Sequence, residues 1–237
     1  MADVTLTLRE ARDEALGTKT FVFDADGLSG VRPGQYLLVR LDAPEDPRRG
    51  SRSFTMANAP SEPHVLITTR MRGASAFKRA LGALSPGDRV PAKGPLGRFA
   101  LRDDDAPSLM VAGGIGATPF RSMIRHAIGA GRTAPVTLVT SDRVPEAIPF
   151  RTEFDAWAAR HPWLRIARTI TQPEESAAGW GGRTGRIDPA WLGGLVDAPR
   201  VAAYVCGPPT FVEAIVPVVQ GLGVPSDRIA LERFIGY

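Results

Sequence analysis

The sequence predicts two fold classes in series: an antiparallel β-barrel over residues 1–102, then an α/β domain built on a parallel sheet over residues 103–237. Three observations carry this. The first hundred residues hold short apolar runs at strand spacing, broken by turns rich in Gly, Pro and charge, with a single helical stretch. From about residue 106 strand and helix alternate, and the first strand, Leu109-Met110-Val111-Ala112, is apolar throughout, as in strands covered on both faces. With 237 residues, 43% hydrophobic and 23% charged, the chain has enough apolar material for a core in each half.

In the first half, Val4, Leu6 and Leu8 alternate with Thr5, Thr7 and Arg9, the period of a half-buried strand. Phe21-Val22-Phe23 is the next strand, and Pro33-Gly34-Gln35 is a turn opening the strand 36–41. Asp42 to Gly50, with its prolines and charges, reads as an exposed loop. The strand ending at Arg52-Ser53-Phe54-Thr55 follows, then the strand 65–70. A helix from Ser75 to Leu84 puts Phe77, Leu81 and Leu84 on one face, and Arg89 to Lys93 is a strand closed by the turn Gly94-Pro95-Leu96-Gly97.

In the second half, Phe120, Met123, Ile124, Ala127 and Ile128 recur at helical spacing. Strand 136–140, helix 150–160 and strand 164–168 follow. A polar loop, 172–186, leads to a short helix near Pro189–Leu192, a strand 201–205, a helix 210–222 and a last strand 229–231. Pro217 should kink or shorten that helix, because it lacks an N–H and crowds the preceding turn.

Composition excludes several classes. The one cysteine, Cys206, rules out an internal disulfide. With only His64, His126 and His161 beside it, a four-cysteine iron–sulfur site and a two-Cys, two-His metal site are ruled out as well. The histidines read as surface or loop residues, and no metal is expected. A net charge of +4 without basic runs interleaved with aromatics does not suggest nucleic acid; it suits an acidic partner or anionic cofactors. No run approaches the ~18 apolar residues of a membrane span. The N-terminus lacks the basic start and apolar block of a signal peptide, so a cytoplasmic protein, read as a monomer, is expected.

Alternation puts Arg52 and Phe54 on one strand face, Ser53 and Thr55 on the other. The arginine fork suits a phosphate, and the aromatic ring with a nearby hydroxyl suits a flat heteroaromatic; a flavin nucleotide offers both. An amphipathic strand with a surface arginine explains the same residues. Gly113-Gly114-Ile115-Gly116-Ala117-Thr118-Pro119 is a strand-to-helix turn whose free N–H groups can meet a pyrophosphate, with Thr118 as N-cap and Pro119 as first helical residue. Pro119 stands where the common dinucleotide fingerprint has a third glycine; a tight turn without ligand is the alternative. Cys206-Gly207-Pro208-Pro209 lies at another strand carboxyl end, the ligand-bearing edge of such sheets, where a small thiol can abut a nicotinamide or simply pack. Ser141-Asp142-Arg143, after the strand 136–140, stands at the edge that selects the adenosine ribose: the acid suits a free 2′-hydroxyl, while Ser141 and Arg143 lean toward a 2′-phosphate, and a solvated Asp–Arg loop explains the same residues. Arg70-Met71-Arg72-Gly73-Ala74-Ser75 opens the barrel helix and can hold a second phosphate or serve as a capped turn.

Together and in this order the motifs resemble the ferredoxin–NADP⁺ reductase superfamily. They are Arg52-Ser53-Phe54-Thr55, Gly73-Ala74-Ser75, Gly94-Pro95-Leu96-Gly97, the 113–119 turn with its proline, Cys206-Gly207-Pro208-Pro209 and Glu232-Arg233-Phe234. The resemblance implies an FAD-binding barrel followed by an NAD(P) domain. It implies that Arg52 binds the FAD phosphate, that Phe54 packs on the isoalloxazine and that Thr55 hydrogen-bonds near N5, with Ser53, Arg70, Gly73, Ala74 and Ser75 completing the FAD site. Gly114, Gly116, Ala117, Thr118, Ser141, Arg143, Cys206, Gly207 and Pro208 would meet NADP(H), with NAD(H) also possible. Cys206 and Glu232 would line the nicotinamide site, and Phe234 or Tyr237 would stack on the flavin. Phe54 replaces the commoner tyrosine, and three residues follow Phe234. The implied activity is hydride transfer between NADPH and FAD with single-electron exchange to ferredoxin or flavodoxin. Reduction of a small acceptor such as a quinone or ferric chelate, and a non-catalytic FAD-holding subunit, stay open beside it.

Overall fold

The computed structural model describes residues 2–71, 75–102 and 104–235. Packing divides the chain into two compact units: Met1–Leu101 with Arg121–Ala130, and Arg102–Phe120 with Gly131–Tyr237. A single cut at 102/103 does not describe this grouping, because residues 121–130 pack with the first unit.

The first unit holds β1 (Ala2–Ala15), β2 (Thr18–Asp26), β3 (Tyr36–Arg40), β4 (Ser51–Thr55), β5 (Val65–Arg70), α1 (Ala76–Gly82) and β6 (Arg89–Leu96). The strands form one antiparallel sheet in the order β4-β3-β6-β1-β2-β5. Met56, just past β4, bridges Ile67 of β5, and the Ala57 N–H donates to the Leu66 carbonyl at 2.8 Å, which links the two edges of the sheet. Alternate residues Val4, Leu6 and Leu8 of β1 join Phe21, Phe23, Leu37, Val39 and Ile67 in one buried core. α1 closes that core with Phe77 and Leu81, and Ser75 caps it by accepting from the Lys78 N–H at 3.3 Å. The residues before α1 named above, Arg72, Gly73 and Ala74, lie outside the described residues, as does Tyr237.

The segment 42–50 is a loop exposed over most of its length, as expected, but not throughout. Ala43, Asp46 and Gly50 are buried. Asp46 accepts from the N–H groups of Arg48 and Gly50 at 3.1 Å each, so a charged residue forms the centre of the loop. A carboxylate that takes up backbone donors can be buried where an unpaired one cannot.

The second unit holds β7 (Ser108–Gly113), α2 (Thr118–Gly129, shared with the first unit), β8 (Val136–Asp142), α3 (Arg151–Arg160), β9 (Leu164–Ile170), β10 (Arg183–Thr184), α4 (Pro189–Gly193), β11 (Ala202–Gly207), α5 (Pro209–Gly221) and β12 (Ile229–Arg233). The sheet order is β10-β9-β8-β7-β11-β12, all parallel. The chain moves outward from β7 through β8 and β9 to β10, then returns to the other side of β7 with β11. The point where the order reverses therefore lies between β7 and β11, and ligands of such sheets bind at the strand carboxyl ends there.

α5 is not shortened at Pro217 but spans Pro209–Gly221 with the proline inside. Its buried face, Val212, Ile215 and Val219, packs into the core beside β11, and that burial outweighs a proline cost of about 3 kcal/mol. Thr118 is not an N-cap. A 3₁₀ turn over Gly114–Ala117 runs directly into α2, and the Thr118 hydroxyl donates back to the Ile115 carbonyl at 3.0 Å. No helix among the described residues is long and apolar enough to cross a membrane.

Candidate functional site

In the first unit, β4 presents its residues as alternation requires. The Arg52 guanidinium carbon lies 5.3 Å from the Phe77 ring centroid and the Phe54 ring 5.7 Å from it, so both side chains share the face over α1. On the other face Ser53 is exposed and Thr55 is buried. The Thr55 hydroxyl oxygen is buried with no hydrogen-bond partner. Such an orphan costs about 1–3 kcal/mol, and a bound group that hydrogen-bonds to it would remove that cost.

Cations gather at the start of α1. Lys78 is held below the usual ammonium range, first by burial and then by the charges of Arg70 and Arg52. Arg70 and Arg52 both lie within electrostatic reach of Lys78, beside the capping Ser75, and together offer N–H donors to an anion. Lys78 was missed in the sequence; its position three residues after Ser75, in the first turn of the helix, was the available signal. Asp46 was missed too, and it grips Arg52: the Arg52 Nη1 donates to its Oδ2 at 2.7 Å and Nη2 to its Oδ1.

In the second unit, strand register brings the carboxyl-end residues together. Cys206 is paired with Glu232 on one side and with Ala112 on the other, and in-register parallel partners point to the same face. Cys206 is completely buried; burial, then the Glu232 charge, pushes its thiol well above the usual range, so it stays protonated. Burial lifts Glu232 to about 7, and its Oε2 is buried with no hydrogen-bond partner. Phe234 extends the ladder, its N–H donating to the Gly207 carbonyl at 2.9 Å, two residues beyond Glu232. Pro208, half-buried, leads into α5.

The glycine turn sits against this end of β11. A Cβ on Gly116 would lie 2.2 Å from the Cys206 carbonyl oxygen. Cβ atoms on Gly113 and Gly207 would strike the Phe211 ring at 2.6 and 2.9 Å. These glycines are thus required by packing alone, and Gly114 adopts a positive φ of 54°. The same close fit sets the 114–117 turn against β11, with Gly116 beside Cys206 and Gly207.

At the carboxyl end of β8, Ser141 is half-buried, Asp142 buried and Arg143 exposed. Arg143 is already engaged: its Nη2 donates to both Glu175 oxygens at 3.0 and 2.9 Å. The segment carrying Glu175 is held by Glu146, which accepts from the Ser176 hydroxyl at 2.8 Å and the Ala178 N–H at 3.1 Å. Glu175 gives no local sequence signal, because it lies 32 residues from its partner in a polar stretch.

Residues 110–216 match a family described as the oxidoreductase NAD-binding domain. The chain is 32% identical over 238 residues to ferredoxin–NADP reductase B of Sorangium cellulosum, which covers 96% of this chain and 91% of that protein. It is 27% identical over 221 residues to a flavohemoprotein of Deinococcus radiodurans, covering 91% of this chain but 55% of the relative, so it spans little more than half of that protein. The flavohem-like FAD/NAD binding domain of nitric oxide dioxygenase from Vibrio cholerae O1 biovar El Tor superposes with a TM-score of 0.84 at 21% identity, covering 97% and 98% of the two chains, and so shares the fold. The barrel-type antiparallel sheet, the parallel sheet with its glycine turn, and a near full-length relative above 30% identity lead to one conclusion: the chain belongs to the ferredoxin–NADP⁺ reductase family of flavoprotein oxidoreductases, with FAD and NAD(P)(H) as its cofactors.

Proposed function

We propose that this chain takes reducing equivalents from NAD(P)H and passes them, one electron at a time, to a separate carrier protein of the ferredoxin or flavodoxin type, in the cytoplasm. FAD, when bound, supplies the chemistry that converts a two-electron donor into a one-electron source. Arg52, Arg70, Ser75 and Lys78 hold its phosphates. The Thr55 hydroxyl meets the polar edge of the ring system, and Phe54 covers a ring face. In the second unit the glycine turn and the N-terminus of α2 receive the dinucleotide. The neutral Cys206 thiol keeps water from the reacting atoms without offering a charge. Glu232, lifted to about 7 by burial, exchanges a proton around neutral pH beside it.

The observation that carries this reading is the register pair Cys206–Glu232 at the sheet reversal, fully buried thiol beside a buried carboxyl oxygen with no hydrogen-bond partner. The carrier reading draws support from the exposed Arg48 and Arg49, which suit an acidic docking face. The test is anaerobic mixing of the purified yellow protein with NADPH and with NADH. Flavin absorbance should bleach, then recover on adding ferredoxin or flavodoxin. Absence of bleaching with either nucleotide would refute the reductase reading. Faster recovery with a quinone or ferric chelate than with either carrier would replace the protein acceptor by a small one.

A further inference from the structure

The Asp46 side chain is entirely buried, yet its carboxylate lacks nothing. Oδ2 takes the N–H groups of Arg48 and Gly50 and the Nη1 of Arg52; Oδ1 takes Nη2 of Arg52. Arg52 Nη1 gives its other proton to the Ser51 carbonyl at 2.8 Å. A guanidinium has five N–H donors in one plane. These contacts use both protons of Nη1 and one of Nη2. The two left over, Nε–H and the second Nη2–H, lie on a single edge and point the same way. Two parallel donors on one edge fit two oxygens of a phosphate. The Phe77 ring backs the flat face of the group. Arg52 is therefore fixed by its tip and by its face, with one edge open among the described residues.

We propose that Asp46 is a positioning residue for phosphate recognition: it grips the tip of Arg52 so that the Nε/Nη2 edge faces the phosphate of a flavin nucleotide. This rests on the reading that the first unit binds FAD. The pair is close to neutral, so the attraction Arg52 offers is a directed two-pronged hydrogen bond rather than net charge. A long arginine left untied would have to be ordered by the ligand itself, at a cost in side-chain freedom. The need for this role also answers why a carboxylate is buried here at all, since a buried ion pair by itself adds little stability. The same carboxylate holds the loop bearing Arg48 and Arg49, so that loop and the phosphate-facing edge share one anchor.

The experiment compares FAD, FMN and riboflavin binding to the deflavinated full chain by flavin fluorescence, in the natural sequence, Asp46→Asn, Asp46→Ala, Arg52→Ala and Asp46→Asn/Arg52→Ala. Asp46→Asn should weaken FAD and FMN by about tenfold to a hundredfold while riboflavin, which has no phosphate, binds as before. The double variant should be no weaker than Arg52→Ala, since both changes remove one device. Unchanged or tighter FAD binding in Asp46→Asn overturns the proposal, as does a parallel loss of riboflavin, which would reduce Asp46 to a fold support. If Asp46→Ala does not fold, Asp46→Asn, which keeps the shape of the side chain, decides alone. Failure of the natural sequence to bind any flavin would overturn the flavin reading itself, a result distinct from the others.

Discussion

Glu232 shows how one buried oxygen sets a pH dependence. Burial lifts its folded-state pKa to about 7 from the 4.5 of a free glutamate, so the folded state binds more protons between those values. Stability from this residue is then full below about pH 4.5, falls as pH rises to about 7, and stays reduced above it, by roughly 3 kcal/mol in all. Glu232→Gln keeps the neutral form at every pH. Its melting temperature should equal the natural protein's near pH 5 and exceed it increasingly toward pH 8; parallel curves would show that Glu232 is not desolvated. Arg143 makes a different point, because its charge is cancelled by Glu175 at 2.9 Å. Both partners are about half exposed, so the pair holds only about 0.2–1 kcal/mol, and the 2′-phosphate of NADPH, were it bound at this edge, would compete for it. Glu175→Gln should raise the NADPH-to-NADH ratio of kcat/KM by about two- to fivefold, and Arg143→Ala should abolish that gain. An unchanged ratio would remove this edge from coenzyme selection.

Among the elements, the turn between β7 and α2 is the most constrained. Gly116→Ala would put a methyl group 2.2 Å from backbone of β11, which cannot yield as a flexible side chain would. The expected loss is about 1–3 kcal/mol in thermal unfolding, whereas Gly221→Ala, which meets nothing within 4 Å, should be neutral or mildly stabilising. Equal effects at the two positions would remove the packing argument. This turn was legible in the sequence because its signals are local: an apolar strand, glycines, a proline, then helical periodicity. The strands were legible for the same reason, and Thr55, Cys206 and Glu232 drew notice because they sit inside motifs. Asp46, Lys78 and Glu175 were not, since each draws its meaning from side chains that only the fold brings near. The association of residues 121–130 with the first unit left no local trace either. There Arg121, almost fully buried, donates to the Ala57 carbonyl at 2.8 Å and pairs with Glu62 at 3.0 Å. Pro217 does not shorten α5, because propensity is weighed against burial and the helix buries Val212, Ile215 and Val219.

For the whole molecule, the net charge of +4 predicts how it meets a carrier. An acidic protein is drawn by long-range attraction, which salt screens over a Debye length of about 10 Å at 0.1 M. At subsaturating carrier, raising salt from about 0.05 M to about 0.5 M should slow ferredoxin or flavodoxin reduction about tenfold or more, while an uncharged quinone is reduced at a nearly constant rate. An equal decline with both acceptors would mean that salt acts on an earlier step and that no charged docking occurs.

The cluster of Gly113, Gly116, Gly207 and Phe211 also bears on how this sequence can drift. One ring fills the space that two of the missing Cβ atoms would claim, so a larger residue at 113 or 207 becomes admissible only once position 211 has shrunk. Position 116 has no such escape, because its neighbour is main chain. Substitutions here would have to arrive in a fixed order, with the aromatic yielding first, and one of the glycines would stay unchanged along every route.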